Sequence, residues 1–343
     1  MAEKCRLLWE VRVFRTETAL KNKDSLIEQM QVFYDINDFY PEKPVVATIG
    51  TYDGVHLGHK KILQRLKDIA AEIGGETVLI SFHPHPRLVL FPDKTPVFML
   101  QNIAEKITVL REFGIDKLLL IPFTKEFSQT SSDTFIRQIL VEKVRIHRLV
   151  IGYDHHFGAN RSGDIHELRQ YAAECNYEVE EIPAQAIDNA NVSSTKVRQA
   201  LQAGDIHTAN SFLGYDFHFS GKVVHGQKQG RLLGYPTANL DLQDKYKLIP
   251  ANGIYFVRVF VEEVAYFGMM SIGVKPTMGD FARGIEVNIF DFDKDIYDNM
   301  LKIEVLAYIR AEAKFDSLAT LIEAIEGDKA FCMDFISRRF SQI

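Results

Sequence analysis

Two histidines three residues apart stand at the start of a predicted helix, where they could bind an anion. His56 and His59 lie in the segment VVATIGTYDGVHLGHKK, residues 45–61, in which an apolar, β-branched run gives way to glycines and then to a helical pattern from Leu57. A helix start presents unpaired backbone N–H groups and the positive end of the helix dipole, which favour phosphate. The spacing puts both imidazoles on one face, so their N–H groups can reach one anion. The segment therefore predicts a site for a nucleoside triphosphate.

The same turn gathers residues that a phosphate site would use. Glycine lets the backbone approach a bulky anion closely, and the turn holds Gly50, Asp53, Gly54 and Gly58. An isolated histidine pair at a helix start is more often a surface or structural pair, and zinc is a further alternative. No third His or Cys at ligand spacing lies nearby in the sequence, which disfavours a metal. The glycines and Asp53 in the same turn favour the phosphate interpretation.

Three other clusters of unusual residues follow predicted strands in the first part of the chain. They are SFHPHP (residues 81–86), IGYDHHFGANRSGD (151–164) and NVSSTKVRQAL (191–201). Each has a simpler alternative: a rigid turn with solvated histidines, a metal site at Asp154 with its two following histidines, and a helix N-cap with a cationic first turn. Cations at a helix start oppose the helix dipole, so Lys196 and Arg198 favour an anion between them.

A further cluster lies in the second half of the chain. HGQKQGRLLGYPTANL, residues 225–240, combines glycines and basic residues, which can wrap phosphates, although most such loops are hairpin loops with solvated charges. It contains no Walker motif. Thr237 and Asn239 stand two apart on a predicted strand, so both could serve one Mg²⁺ with its phosphates. Glu286 lies in an otherwise apolar strand and is either a solvent-facing residue or a positioned base.

The elements that must position these residues follow from hydrophobic periodicity. From Pro44 to about Gly204, apolar strands alternate with amphipathic helices, including those over 57–73 and 102–113, and an alternating segment at 31–39 precedes them. This pattern predicts a doubly wound parallel sheet that binds ligands at the carboxyl ends of its strands. From Phe217, strands follow one another without helices until a final helix over about 317–340, which predicts a small closed antiparallel barrel. The predicted organisation is an α/β chain with an N-terminal extension (1–29), a parallel-sheet domain (30–204), a linker (205–215) and a barrel domain (216–343).

Composition excludes several classes of function. The chain has 343 residues, 46% of them hydrophobic and 25% charged, which is ordinary for a soluble globular protein. Its formal net charge of -6 argues against a sequence-blind nucleic-acid binder. It lacks a run of about 18 apolar residues, so no membrane partner is expected. Three scattered cysteines, Cys5, Cys175 and Cys332, predict free thiols in a reducing compartment and hence a cytoplasmic protein.

Taken together, the motifs resemble the bifunctional bacterial riboflavin kinase/FMN adenylyltransferase family from about Met30 to the C-terminus. TIGTYDGVHLGH is similar to the family's T-x-G-x-F-D-G-V-H-x-G-H, with Tyr52 in place of the usual Phe. SFHPHP, IGYDHHFGANRSGD and VSSTKVR resemble other segments of the adenylyltransferase, while GRLLGYPTANL and IEVNIFDF resemble the kinase. Asn288 stands where many members carry His, and we assign it no role.

The resemblance implies a Rossmann-like FMN adenylyltransferase in the first domain. The phosphate of FMN would attack the α-phosphorus of ATP, giving FAD and pyrophosphate, and an anionic nucleophile needs no general base. ATP binding is assigned by the resemblance to Gly50, Asp53, Gly54, His56, Gly58, His59, Ser194, Lys196 and Arg198, with His56 and His59 as catalytic residues. Flavin contact is assigned in the same way to Phe82, His85, Asp154 and Phe157.

The resemblance implies a riboflavin kinase in the barrel. The ribityl hydroxyl of riboflavin would attack the γ-phosphorus of ATP, and an alcohol needs its proton accepted, which assigns Glu286 as the base. Thr237 and Asn239 would hold Mg²⁺ together with the ATP phosphates, and the kinase ATP/Mg set also includes Gly221, Lys222 and Gly230.

Three other functions fit parts of the sequence. The first domain could transfer a nucleotidyl group to another acceptor, because related enzymes share H-x-G-H. An aminoacyl-tRNA synthetase-like protein also pairs H-x-G-H with a later Lys-Ser loop. A flavin-binding module without catalysis is a third possibility. The P-T-A-N barrel disfavours the first of these functions, and the acidic charge balance disfavours the second. The intact histidines and Glu286 disfavour the third.

Overall fold

The computed structural model describes residues 30–92, 97–153, 155–159, 162–183, 192–226, 230, 234–274 and 283–340. The predicted extension at 1–29 therefore lies outside the described residues. The two predicted architectures are both present: a parallel sheet followed by a closed antiparallel barrel.

The first domain is a six-stranded sheet whose neighbouring strands all run parallel, in the order β1-β4-β3-β2-β5-β6. Its strands are β1 (Gln31–Phe33), β2 (Val45–Ile49), β3 (Glu76–His83), β4 (Lys117–Pro122), β5 (Ile146–Gly152) and β6 (Glu178–Ile182). Every residue of β2 is buried, as expected for a strand covered on both faces.

Helices cover both faces of this sheet. They are α1 (Leu57–Ile73), α2 (Pro86–Leu90), α3 (Ile103–Phe113), α4 (Ser132–Thr134), which runs into a π-helix (Phe135–Val144), and α5 (Ile165–Cys175). The apolar faces of α1 and α3 pack in one buried cluster on one side of the sheet, and those of the π-helix and α5 pack in another. Helix α3 begins with a capping box formed by Asn102 and Glu105, and it ends at Gly114, whose φ of 83° suits glycine.

The second domain is a closed six-stranded barrel in the order β10-β11-β8-β7-β12-β9. Its strands are β7 (His218–Val224), β8 (Ala238–Asp241), β9 (Gly253–Val261), β10 (Val264–Val274), β11 (Arg283–Ile289) and β12 (Met300–Arg310). A long helix, α8 (Leu318–Phe340), packs outside the barrel over Phe256, Met269 and Leu306. Closure pairs every strand on both sides and so leaves no sheet edge exposed.

Two helices connect the domains and share a core with the barrel. Helices α6 (Ser194–Gln202) and α7 (Ile206–Leu213) contribute Val197, Leu201 and Leu213 to the same buried cluster as the barrel strands. The predicted linker at 205–215 is thus largely helix α7, and the helix carrying the SSTKVR segment packs against the second domain. None of the helices in the described part of the chain is both long and apolar enough to cross a membrane.

Candidate active sites

The turn between β2 and α1 holds an unusual backbone conformation. Tyr52, Gly54 and Val55 have φ angles of 46°, 83° and 35°, in the left-handed region that only glycine adopts without strain. The ring of Tyr52 is buried, and its hydroxyl forms a 2.8 Å hydrogen bond with the Thr48 hydroxyl. Strained turns of this kind concentrate at functional sites, where the surrounding packing maintains them. This turn lies at the carboxyl end of a central strand, the edge at which open parallel sheets bind their ligands.

His56 and His59 form a stacked pair at the start of α1. His56 is the N-cap residue, and its Nδ1 accepts a hydrogen bond of 3.3 Å from the backbone N–H of His59. The ring centroids are 3.7 Å apart. An Nδ1 that accepts requires the proton to be on Nε2, so the His56 ring can donate to a ligand from its other nitrogen.

Both imidazoles are neutral at physiological pH. Burial lowers the pKa of His56 from 6.5 to about 4. Burial also lowers the pKa of His59 well below 6.5, and the neighbouring His56 lowers it further. The Nδ1 atom of His59 is buried without a hydrogen-bond partner among the described residues. The pair can therefore supply N–H donors to a phosphate, but it does not supply positive charge.

Asp53 organises the turn from within. Its carboxylate is 3% exposed and accepts hydrogen bonds from the backbone N–H groups of Leu100 (3.0 Å) and Gln101 (3.2 Å). The Arg198 guanidinium forms a partly buried ion pair with the same carboxylate. With these partners Asp53 is positioned to hold the turn, the 98–101 segment and helix α6 together.

The start of α6, which carries the SSTKVR segment, lies against this turn. The Ser194 hydroxyl donates a 2.9 Å hydrogen bond to the carbonyl oxygen of Asp53. Besides pairing with Asp53, Arg198 donates to the carbonyl oxygen of Phe98 at 2.8 Å. Ser193 caps the helix by accepting from the backbone N–H of Lys196, whose side chain is half-buried. The fold thus brings Asp53, His56, Ser194 and Arg198 into one cluster, although about 140 residues separate its two parts.

The four residues predicted to contact flavin differ in their burial and packing. Phe82 is half-buried and packs edge-on against Phe123 with ring centroids 5.7 Å apart. His85 caps α2, and burial lowers its pKa to about 4. Phe157 is only 7% exposed and packs against Phe135 in the core, so packing alone accounts for its ring. Asp154 lies outside the described residues.

In the barrel, the predicted kinase residues meet across two paired strands. Glu286 of β11 lies opposite Asn239 of β8 in the register of the sheet. The Thr237 hydroxyl donates a 3.1 Å hydrogen bond to Oε2 of Glu286. A hydroxyl, an amide and a carboxylate therefore share one surface of the barrel.

Glycines allow the preceding loop to press onto this surface. A Cβ atom on Gly226 would collide with the Asn239 amide, and one on Gly230 would collide with the Tyr235 carbonyl oxygen. Gly221 packs against the backbone of β8, where a Cβ would lie 3.2 Å from the Asp241 carbonyl oxygen. Lys222 forms an exposed 2.7 Å ion pair with Asp298. The loop residues Lys228 and Arg231 lie outside the described residues.

A cavity of about 330 Å³ opens beside Glu286, between the barrel and α8. Its lining combines the predicted Gly230, Thr237 and Glu286 with residues that sequence reasoning missed: Met269, Met270, Asn288, Arg310, Phe315 and Asp328. The Arg310 guanidinium forms a bidentate ion pair with Asp328 of α8, with N···O distances of 2.8 and 2.7 Å. A pair 18 residues apart on a strand and a helix has no sequence spacing that would indicate it.

Comparisons with known proteins cover both domains. The family profile described as FAD synthetase matches residues 40–196, and the one described as riboflavin kinase matches residues 213–336. A curated bifunctional riboflavin kinase/FMN adenylyltransferase from Pseudomonas fluorescens is 37% identical over 88% of this chain and 96% of its own length. The chain belongs to this bifunctional family.

Two other curated relatives and one solved structure also match this chain over most of its length. The Bacillus subtilis protein of the same name is 36% identical over 85% of this chain and 92% of its own length, and the Escherichia coli K12 protein is 33% identical over 86% and 94%. A solved Streptococcus pneumoniae structure, described as a macrolide-efflux protein, covers 91% of this chain and 99% of its own, with a TM-score of 0.79 and 29% identity.

These findings confirm the predicted family, the predicted fold class and the predicted pair of enzymatic activities. The chain is a riboflavin kinase in its C-terminal domain and an FMN adenylyltransferase in its N-terminal domain. The three alternative functions considered for the sequence are superseded, because the profile and relatives account for both domains together. The assignment of roles to single residues stays a prediction.

Proposed function

We propose that the His56–His59 turn is the adenylyl-transfer site and that the Glu286–Thr237–Asn239 surface is the phosphoryl-transfer site. The surroundings of two carboxylates, Asp53 and Glu286, support this assignment of the two reactions to two sites. Asp53 is buried and holds Arg198 and two backbone N–H groups, whereas Glu286 faces a cavity next to a hydroxyl. Only the alcohol of riboflavin must lose a proton on attack, so only the second reaction needs a base.

In the first site, an oxygen of the FMN phosphate attacks the α-phosphorus of ATP, the bond between the α-phosphorus and its bridging oxygen breaks, and pyrophosphate leaves. His56 and His59 donate N–H hydrogen bonds to the phosphates. The N-terminus of α1 adds backbone N–H groups. Lys196 and Arg198 bind the departing β- and γ-phosphates, and Arg198 exchanges part of its bonding to Asp53 for the ligand.

In the second site, the oxygen of the ribityl hydroxyl attacks the γ-phosphorus of ATP while Glu286 accepts the hydroxyl proton. The bond between the γ-phosphorus and its bridging oxygen breaks, and ADP leaves. The cavity beside Glu286 holds the riboflavin ring, with Met269 and Phe315 as apolar contacts. Gly226 and Gly230 bring loop backbone close to the ATP phosphates.

The donor set of the second site fits Mg²⁺. Thr237 and Asn239 offer oxygen atoms, which Mg²⁺ prefers, and a small number of protein ligands suits an ion that also binds phosphates and water. The described residues contain no group of three or more His, Cys, Asp and Glu side chains that could hold a metal by themselves. Thr237 and Asn239 would hold the ion with ATP, and it would neutralise charge on the phosphates when bound.

Substituting one residue in each site tests the division. Glu286→Gln is expected to reduce FMN formation from riboflavin by about 10²- to 10⁴-fold while FAD formation from supplied FMN stays intact. His59→Ala is expected to do the reverse, with a loss of about 10²- to 10³-fold in FAD formation. Both products are measured by chromatography, and the unaffected reaction controls for folding. Equal damage to both reactions in a folded variant would refute the division.

We also propose that the protein works in the cytoplasm with small-molecule substrates alone: riboflavin, FMN and ATP. Two of its cysteines, Cys175 and Cys332, are free thiols, as expected in a reducing compartment.

A further inference from the structure

Three lysine side chains are almost fully buried in the described part of the chain, and two of them have carboxylate partners. Lys117 lies 3.1 Å from Glu76, and Lys247 lies 2.6 Å from Glu105. Lys106 is 6% exposed, and no carboxylate of the described residues lies within ion-pair distance of it. Its side chain makes one hydrogen bond there, a 2.6 Å bond to the carbonyl oxygen of Thr51.

Thr51 belongs to the strained turn that carries the histidine pair. Lys106 reaches it from the first turn of α3, so its ammonium lies beneath the predicted phosphate site. Its charge contributes to lowering the pKa values of His59, His83 and His85. His59 follows β2, while His83 ends β3 and His85 comes just after it, at the same edge of the sheet. Asp53 is the carboxylate that most stabilises the charged ammonium, but its oxygens already bind Arg198 and backbone N–H groups.

A buried ammonium without a counter-ion is expensive. Removing such an ion from water costs several kcal/mol, which a single carbonyl acceptor does not offset. An ammonium also has three N–H donors, and the described residues use one of them, so the other two can serve a ligand. The reaction meanwhile assembles several phosphate charges beside two neutral imidazoles. A fixed cation at this point therefore completes the electrostatics of the site.

We propose that Lys106 is a phosphate-binding residue of the adenylyltransferase and supplies positive charge beside the histidine pair. The inference rests on the proposed location of adenylyl transfer at this turn. Its ligand is a phosphate group, which comes from either the ATP triphosphate or the FMN phosphate. Both are present when the adenylyl group transfers.

The test uses the full-length chain with four single substitutions. Lys106→Gln keeps a donor for the Thr51 carbonyl but removes the charge, Lys106→Met removes both, and Lys106→Arg restores the charge. Lys67→Gln is the matched control, because the Lys67 ammonium also donates to a backbone carbonyl, that of Phe113 at 2.8 Å, away from the turn. Both reactions and the binding of inorganic pyrophosphate are measured for each variant.

Lys106→Gln and Lys106→Met are expected to reduce kcat/KM for FAD formation by at least about 100-fold, with kinase activity within about twofold of wild type. Lys106→Arg is expected to recover at least tenfold of that loss, consistent with a role for charge. A raised KM for ATP with weaker pyrophosphate binding identifies the triphosphate as the ligand, and a raised KM for FMN alone identifies the FMN phosphate.

The pH profile separates charge from packing. Burial lowers the pKa of Lys106 below 10.5, so FAD formation by the wild type is expected to fall at alkaline pH. Lys106→Arg should move that fall to higher pH, because guanidinium stays protonated. Activity of Lys106→Gln within threefold of wild type would overturn the proposal. If FAD formation is lost in both Lys106→Gln and His59→Ala, the proposal for Lys106 stands. If His59→Ala stays active, the proposed location of adenylyl transfer at this turn is refuted.

Discussion

The ammonium of Lys247 lies 2.6 Å from the Glu105 carboxylate, and this buried ion pair joins the barrel to the first domain. Lys247 also donates to the carbonyl oxygens of Leu100 and His218, and the Ser220 N–H donates to Glu105. The residue after Glu105, Lys106, instead donates to the Thr51 carbonyl oxygen in the turn between β2 and α1. In the first turn of α3, Glu105 thus contacts the barrel, and Lys106 contacts the turn that we propose for adenylyl transfer.

Lys247→Met should destabilise the protein by about 3–5 kcal/mol, because it leaves the Glu105 carboxylate buried without its partner. Urea unfolding measures the change. Adding Glu105→Gln should recover part of the loss, since the amide is neutral and can still accept the capping hydrogen bond. Asp334→Asn, which removes the exposed pair with Arg338, is the control and should change stability by less than about 0.5 kcal/mol. Equal effects for the buried and exposed pairs would contradict this expectation.

Asp53→Asn should lower kcat/KM for FAD formation by about 100-fold, because Arg198 loses the carboxylate that orients it. The amide oxygen can still accept from the Leu100 N–H, so the fold should persist. Steady-state assays of both reactions provide the measurement, and kinase activity should stay within about twofold of wild type. An unchanged rate of FAD formation would show that Arg198 does not need this anchor.

Gly226→Ala should reduce FMN formation by at least about tenfold, because the new Cβ displaces the Asn239 amide from its position. FAD formation from supplied FMN should be unaffected. Gly327→Ala is the matched glycine control: it lies in α8, no neighbouring atom lies within 4 Å of the point that its new methyl group would occupy, and the change should stabilise the protein by about 0.5–1 kcal/mol. Normal kinase rates in Gly226→Ala would remove Asn239 from the site.

Acid should destabilise the protein through its buried histidines. Burial lowers the pKa of His218 from 6.5 to about 3, and that of His56 to about 4. Below pH 6.5 the unfolded chain binds protons that the folded chain does not, so the free energy of unfolding decreases as the pH falls from 6.5 towards 4. Each pKa unit corresponds to about 1.4 kcal/mol.

The variant His218→Gln should show a shallower decrease over the same range, measured by urea unfolding at several pH values. Lys247 and Lys302 add to the lowering at His218, so the effect depends on the domain interface as well as on burial. A control substitution at the exposed His207 should leave the slope unchanged. Parallel slopes for wild type and His218→Gln would contradict the assignment.

Local sequence patterns predicted the elements closely. The helix expected over 57–73 is α1 at Leu57–Ile73, and the one expected over about 317–340 is α8 at Leu318–Phe340. Both follow from apolar spacing along a single segment. The strands of the parallel sheet and of the barrel were recognisable for the same reason, because hydrophobic alternation and its interruption by glycine are local properties.

The sequence by itself determined the family, the order of the domains and the short motifs at the ends of strands, since each depends on residues close together in the chain. Only the tertiary structure decided that Asp53 binds Arg198 rather than solvent, that the imidazole pair is neutral, and that Lys106 is buried beneath the turn. Those properties depend on burial and on contacts between segments as many as 145 residues apart. Sequence spacing carries no information about such contacts, because closure of the fold creates them.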